Sequence, residues 1–279
     1  MTTALFEVSS HISTRITELN VILNAAKELD ETNPLHKALC RSATILLSSH
    51  LEGFLKDVSK SALLDLQYNI RHYKDMPKNI RETFCRKIVY YEKIEEKDIR
   101  GRMTQLDAFF MSNSVKIELS AFNYNENPNK NPSPKNIDRP LKIFGLEDIL
   151  QRISTERILN IFEGSASSEY MTLRQMSKFR STLYRFPYKA LPSNYQFLKP
   201  KKASKKQISP SIWETFLDEV LERRHAVAHG DTMENIGHIN VLRENVKKLE
   251  VLMYAILYCV SNSLIEPKSN NLLELEIQI

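Results

Sequence analysis

Four long stretches of this chain repeat apolar residues at steps of three and four, the period of a helix with one buried face. Leu5, Val8, Ile12, Ile16, Leu19 and Leu23 mark the first, a helix over about the first thirty residues. Asp30 to Pro34 breaks it, with Pro34 suited to a first helical turn. The second runs on to about Tyr68 with Leu39, Ala43, Leu46, Leu47, Leu51, Phe54, Val58 and Ala62 on its face. Pro210-Ser-Ile-Trp-Glu opens the third, whose buried side is Trp213, Phe216, Leu217, Val220 and Leu221. The fourth spans about Asn235 to Leu264 and is striped by Ile239, Leu242, Val246, Leu249, Met253, Ile256, Val260 and Leu264. These four predict an all-α bundle of long antiparallel helices that brings the two ends of the chain together. The expected organisation is one domain over 1–279, with a helical core at about 1–75 and 210–265 and a large insertion at 76–209.

The insertion is less regular. Met76-Pro77 predicts a helix to about Glu96, and a short one is expected at 102–111. Leu141 to Phe162 and 168–184 also have helical spacing. Ser114 to Phe122 alternates Val115, Ile117, Leu119 and Ala121, as do Leu273, Leu275, Ile277 and Ile279, so a minor two-stranded β element could form. Residues 123–140 hold four prolines and many asparagines, the composition of a mobile loop.

Composition narrows the class. The 279 residues are 42% hydrophobic and 26% charged, ordinary for a globular protein. Six glycines are too few for the tight turns of a barrel or sandwich. No apolar h-region follows Met1, and the apolar runs are too short to cross a bilayer, so a cytoplasmic location without membrane contact is expected. Cys40, Cys85 and Cys259 are odd in number and lack a C-x-x-C, which suits core thiols in a reducing compartment.

Charge is concentrated. Between Tyr170 and Trp213 there is no Asp or Glu, against ten basic residues: Arg174, Lys178, Arg180, Arg185, Lys189, Lys199, Lys201, Lys202, Lys205 and Lys206. The whole chain is only +5, so the remainder is net negative. Tyr170, Phe179, Tyr184, Phe186, Tyr188, Tyr195 and Phe197 are interleaved with them. Cations can hold a phosphate backbone while aromatic faces stack on bases. A solvated lysine loop beside core aromatics, or a surface for an acidic protein, would read the same way.

The candidate chemistry sits in Leu221-Glu-Arg-Arg-His-Ala-Val-Ala-His-Gly-Asp231. Arginine keeps its proton and offers a planar fork to phosphate. Histidine exchanges protons near neutrality. At about 100° per residue, Arg224 and His229 stand roughly 140° apart on a straight helix. To meet at one phosphate, either the helix breaks between them or a second subunit supplies the missing group, and Gly230 just after His229 suits a break or a cap. His225 and His229, about 40° apart, could share a metal. A H-E-x-x-H site would need Glu where Ala226 stands, so no metal is assigned. No P-loop and no cysteine near these histidines is present, and no cofactor is expected.

Arg224, four residues, then His229, with polar His225 directly after the arginine, resembles the R-x(4–6)-H signature of the HEPN superfamily. The run Arg-Arg-His-Ala-Val-Ala-His-Gly is similar to the R-N-x-I-A-H-G of its RiboL-PSP-like and MAE-type branch. Leu46-Leu-Ser-Ser-His-Leu-Glu-Gly-Phe-Leu-Lys-Asp57 resembles the L-E-G-F-x-K segment of that branch's early long helix. The likeness covers about residues 1–70 and 210–265 and leaves the middle unexplained.

The resemblance implies a HEPN-like bundle and a metal-independent endoribonuclease cutting single-stranded RNA or tRNA loops in a composite dimer cleft. Expected products are a 2′,3′-cyclic phosphate and a 5′-hydroxyl. Arg224 and His229 would be catalytic, His225 would help set the geometry, and Glu52 would either be an exposed carboxylate or orient the Arg and His groups. Arg223, Arg185, Lys189, Lys199, Lys201, Lys202, Lys205 and Lys206 are the expected RNA contacts. Such proteins are typically toxins or antiphage effectors restrained by an antitoxin or regulatory partner. The competing expectation is a non-catalytic HEPN-like module that binds RNA, a nucleotide or a protein.

Overall fold

The computed structural model describes residues 2–90, 95–113, 115–116, 132–154, 156–192, 195, 209–230 and 238–265. Two helices open the chain as an antiparallel hairpin, α1 (Ala4–Lys27) and α2 (Pro34–Asn69). Every member of the predicted stripe on α1 is buried. Asn33 caps α2 by accepting from the Leu35 N–H at 2.8 Å, and Pro34 takes the first turn. Asp65, buried near the far end of α2, accepts from the Ala4 and Leu5 N–H groups at 2.7 and 2.9 Å. A carboxylate is thereby set at the positive end of α1, where the exposed N–H groups and the helix dipole both favour it. Tyr188 donates a third bond to the same carboxylate at 2.6 Å, and burial with the nearby Asp65 charge pushes its phenol well above the ordinary tyrosine range.

Between the two helices Arg15 pairs with Asp57 at 2.7 Å. Its guanidinium lies across Gly53, where a Cβ would sit 3.4 Å from Nη2, at the near edge of ordinary contact. His50 of the same stretch lies 3.3 Å from Glu18; burial lowers its pKa and Glu18 opposes the shift.

α3 (Lys78–Val89) and α4 (Glu96–Ser112) pack on each other. The expected helix to Glu96 therefore stops at Val89, and the one expected at 102–111 begins earlier, at Glu96. Tyr73 joins them: its hydroxyl donates to Asp107 and meets the Cys85 sulfur at 2.9 Å. Among the described residues there is no strand, only one antiparallel bridge between His72 and Lys116. Most of 114–122, and all of 273–279, lies outside the described residues, and the bridge pairs Lys116 with His72 instead of with that C-terminal stretch, so the expected two-stranded element is not formed among the described residues.

Two expectations for the middle of the chain are corrected. Residues 132–140 are ordered into the core: α5 (Pro134–Ile137) carries a fully buried Ile137, and Pro132 is buried too. Residues 123–131 lie outside the described set. The helix expected over Leu141–Phe162 is instead a series of short turns: a 3₁₀ segment Arg139–Phe144, α6 (Ile149–Arg152), α7 (Glu156–Leu159) and a 3₁₀ turn Asn160–Phe162. Gly145 at φ 70° and Asp148 at φ 53° leave the right-handed region, and Asp138 captures the Asp148 and Ile149 N–H groups at 2.7 and 3.1 Å. α8 (Ala166–Lys178), continued by a 3₁₀ segment Phe179–Leu183, matches the helix read at 168–184.

α9 (Ile212–His229) lies on α2, and α10 (Ile239–Ser263) packs against α1, α2 and α8. Every stripe residue predicted on α9 and α10 is buried. From Val251 to Ser261 α10 is buried on all sides, and that segment has no charged residue. The fold is all-α among the described residues, and one cluster of buried residues links the hairpin, the middle segments and α10. No helix of the described residues is long and apolar enough to cross a membrane.

Candidate active site

α9 positions the Arg/His stretch, and its start is strongly fixed. The Ser211 side chain accepts from the Glu214 N–H at 3.2 Å while Glu214 accepts from the Ser211 N–H at 2.6 Å, a reciprocal capping box. Gln151 also donates to Glu214. Trp213 is fully buried, edge-on to Phe162 with ring centroids 4.7 Å apart. Phe216, Leu217, Val220 and Leu221 then face Leu47, Ser48 and Leu51 of α2 and Leu249 of α10. This sets the roll of α9 about its axis.

Beyond Leu221 nothing on α9 is buried. Around the helix Arg224 falls between Val220 and Leu221, so it continues the buried stripe toward the free end. It is half-buried, and among the described residues it has no hydrogen bond or ion pair. His225 and His229 are exposed, about 100° and 140° away from it. Their rings lie nearly parallel, 13° apart, with centroids 6.0 Å apart. No third carboxylate, thiol or imidazole gathers with them among the described residues.

The helix runs unbroken to His229 and ends at Gly230, whose N–H reaches the Ala226 and Val227 carbonyls at φ 74°. A Cβ there would touch nothing within 4 Å, so the glycine answers a backbone need and not a spatial one. Gly230 is thus a cap, and the break between Arg224 and His229 is absent. Within one chain the two side chains point to different sectors.

The other expected site residues are dispersed. Arg223 lies 3.6 Å from Glu219 along the helix, and its Nη1 is buried without a hydrogen-bond partner. The Glu52 carboxylate accepts from Lys56 at 2.8 Å, and no hydrogen bond or ion pair joins it to Arg224 or His229. An i,i+4 partner one turn along the same helix holds it, so the orienting role has no contact behind it. Arg185 and Lys189 are exposed on the segment that Tyr188 ties to Asp65. Lys199, Lys201, Lys202, Lys205 and Lys206 lie outside the described residues. The interleaved aromatics serve packing more than stacking: Phe179, Tyr188 and Tyr195 are buried, Tyr184 meets Phe6 edge-on at 5.3 Å, and Tyr170 is exposed. Arg180 donates to the Ser9 and Ser10 hydroxyls at 3.0 and 2.7 Å and is committed to α1.

Scanned against protein-family profiles, the chain matches RiboL-PSP-HEPN over residues 10–262. The chain belongs to the RiboL-PSP-HEPN family. No curated protein and no solved structure matches it. The RiboL-PSP-HEPN match includes the middle of the chain, which the short motifs alone left out, and it spans both the L-E-G-F stretch and the tip of α9. Membership supports a HEPN-type nuclease or another RNA-related module.

Proposed function

We propose that this protein is a metal-independent endoribonuclease that cuts single-stranded RNA or tRNA loops, acting as a homodimer in the cytoplasm. The observation that carries the reading is the bare end of α9. A fixed cation without an internal partner and a solvent-exposed imidazole stand there on different sectors of one rigid helix.

The 2′-hydroxyl oxygen attacks phosphorus, the bond to the 5′-oxygen breaks, and a 2′,3′-cyclic phosphate and a 5′-hydroxyl result. His229 takes the 2′-proton or returns one to the leaving oxygen. Arg224 holds the scissile phosphate and stabilises charge growing on its oxygens. One histidine per chain covers one proton transfer, and a two-fold partner supplies the other. An antitoxin or regulatory protein would restrain the toxin or antiphage activity.

The test is incubation with RNA in excess chelator, followed by analysis of the cut ends. Cyclic phosphate and 5′-hydroxyl ends support the reading; a 5′-phosphate or a need for divalent metal overturns it. Arg224→Ala and His229→Ala should each lower turnover on the order of 10²–10³-fold while RNA still binds. An excess of His229→Ala chains mixed with the unsubstituted protein should poison its cleavage, because a mixed dimer keeps one of the two imidazoles that the step uses. Cleavage that falls no further than dilution predicts would place both proton transfers within one chain's site.

A further inference from the structure

A polar concavity lies between the Glu156–Phe162 turns and α8. Its volume is about 360 Å³, within the range of small-ligand sites. Buried Met176 and Tyr195 form its floor, and Tyr195 is steadied edge-on by Phe179 at 4.9 Å. Exposed Met171 stands at the rim.

The walls have donors that the fold does not use. The Arg157 guanidinium lies 5.2 Å over the Tyr195 ring and has no ion pair among the described residues. The Ser167 hydroxyl and the Gln175 amide have no hydrogen-bond partner there either. Among the described residues no carboxylate lines the cavity. The single acid of α8, Glu169, is buried and held by Lys247 at 2.6 Å. Ser167 also lies in the first turn of α8, where backbone N–H groups lack intrahelical partners. Cation, hydroxyl and helix end favour an anion, the amide can pair with a base edge, and thioether and aromatic surface suits a flat ring.

We propose that this groove binds one nucleoside phosphate unit, either a free mononucleotide or one residue of a bound RNA strand. It goes beyond the ribonuclease reading and does not depend on cleavage. Asn160 on the groove belongs to the turn whose Phe162 packs on Trp213 at the start of α9. Arg224 and His229 lie about 17 and 24 Å further along that helix, so an occupant here is not the nucleotide being cut.

The experiment measures binding by the full chain, carrying His229→Ala so that RNA survives. Probes are AMP, UMP, adenosine, inorganic phosphate and a labelled single-stranded RNA. Arg157→Gln and Gln175→Ala alter the groove, and Arg174→Gln is the off-groove control. Mononucleotide binding at least tenfold tighter than nucleoside or phosphate, lost in Arg157→Gln, identifies a free nucleotide as the occupant. RNA affinity falling about tenfold in both groove variants but not in the control, without mononucleotide binding, identifies an RNA residue. Binding of every probe unchanged by Arg157→Gln and Gln175→Ala overturns the proposal, whatever the cleavage assays show.

Discussion

α9 and α10 follow one another in the chain, yet they meet the core in opposite ways. α10 is enclosed over Val251–Ser261, so its side chains are fully occupied with packing. α9 buries only one face, from Trp213 to Leu221, and no residue of it is buried beyond. A helix gripped at one end and free at the other holds reactive groups at a fixed angle while leaving them accessible, the combination that a site on a rigid element needs. Full enclosure stabilises α10 and denies it chemistry.

Breaking the grip should have the largest effect. Trp213→Ala removes a fully buried indole and should cost about 3–5 kcal/mol, read from denaturant midpoints. A smaller cost would mean that α9 is not anchored there. Next come Arg224→Ala and His229→Ala, which should lower RNA cleavage on the order of 10²–10³-fold with stability changed by less than about 0.5 kcal/mol. Comparable losses of stability and activity would show that the tip supports the fold after all.

The pH response sharpens the other side. Glu250 is the last charged residue before the enclosed part of α10, and burial lifts its carboxyl to about 7. A carboxyl raised above its unfolded value of 4.5 binds its proton more tightly in the folded state. Its contribution is complete below about pH 4.5 and is lost as pH rises through 7. Glu250→Gln should therefore gain stability on the order of 1–3 kcal/mol above pH 7 and little at pH 4.5; unfolding midpoints at both pH values would decide. A pH-independent difference would contradict the burial cause. Last, Gly230→Ala forces a left-handed alanine and should cost about 1 kcal/mol in thermal unfolding.

The four long helices could be read from their stripes because each buries one face at a helical period, as Leu5 to Leu23 and Ile239 to Leu264 show. The full enclosure of α10 was not read, since an eight-residue stripe says nothing of the residues between. Tyr254 and Tyr258 lie in those gaps; the Tyr258 hydroxyl donates to the Met176 carbonyl. Leu141–Phe162 has helical spacing too, but a carboxylate capturing two N–H groups at Asp148 and Ile149 outweighed it. Such a long-range bond leaves no periodic trace. The Arg224/His229 pair was legible by residue type and spacing. The Arg157 groove was not, because its walls come from two short segments that only the packing of α8 brings together. Of the two readings open for Glu52, the contact with Lys56 one turn away is the one that the structure gives a partner.

The missing side chain at Gly53 has a mechanical consequence. The Arg15 guanidinium lies across it and pairs with Asp57, so sliding α1 past α2 by one turn would break that ion pair. The opening hairpin is keyed like a bolt in its slot. A pivot of α9 over the hairpin leaves that pairing intact, whereas shearing α1 against α2 does not.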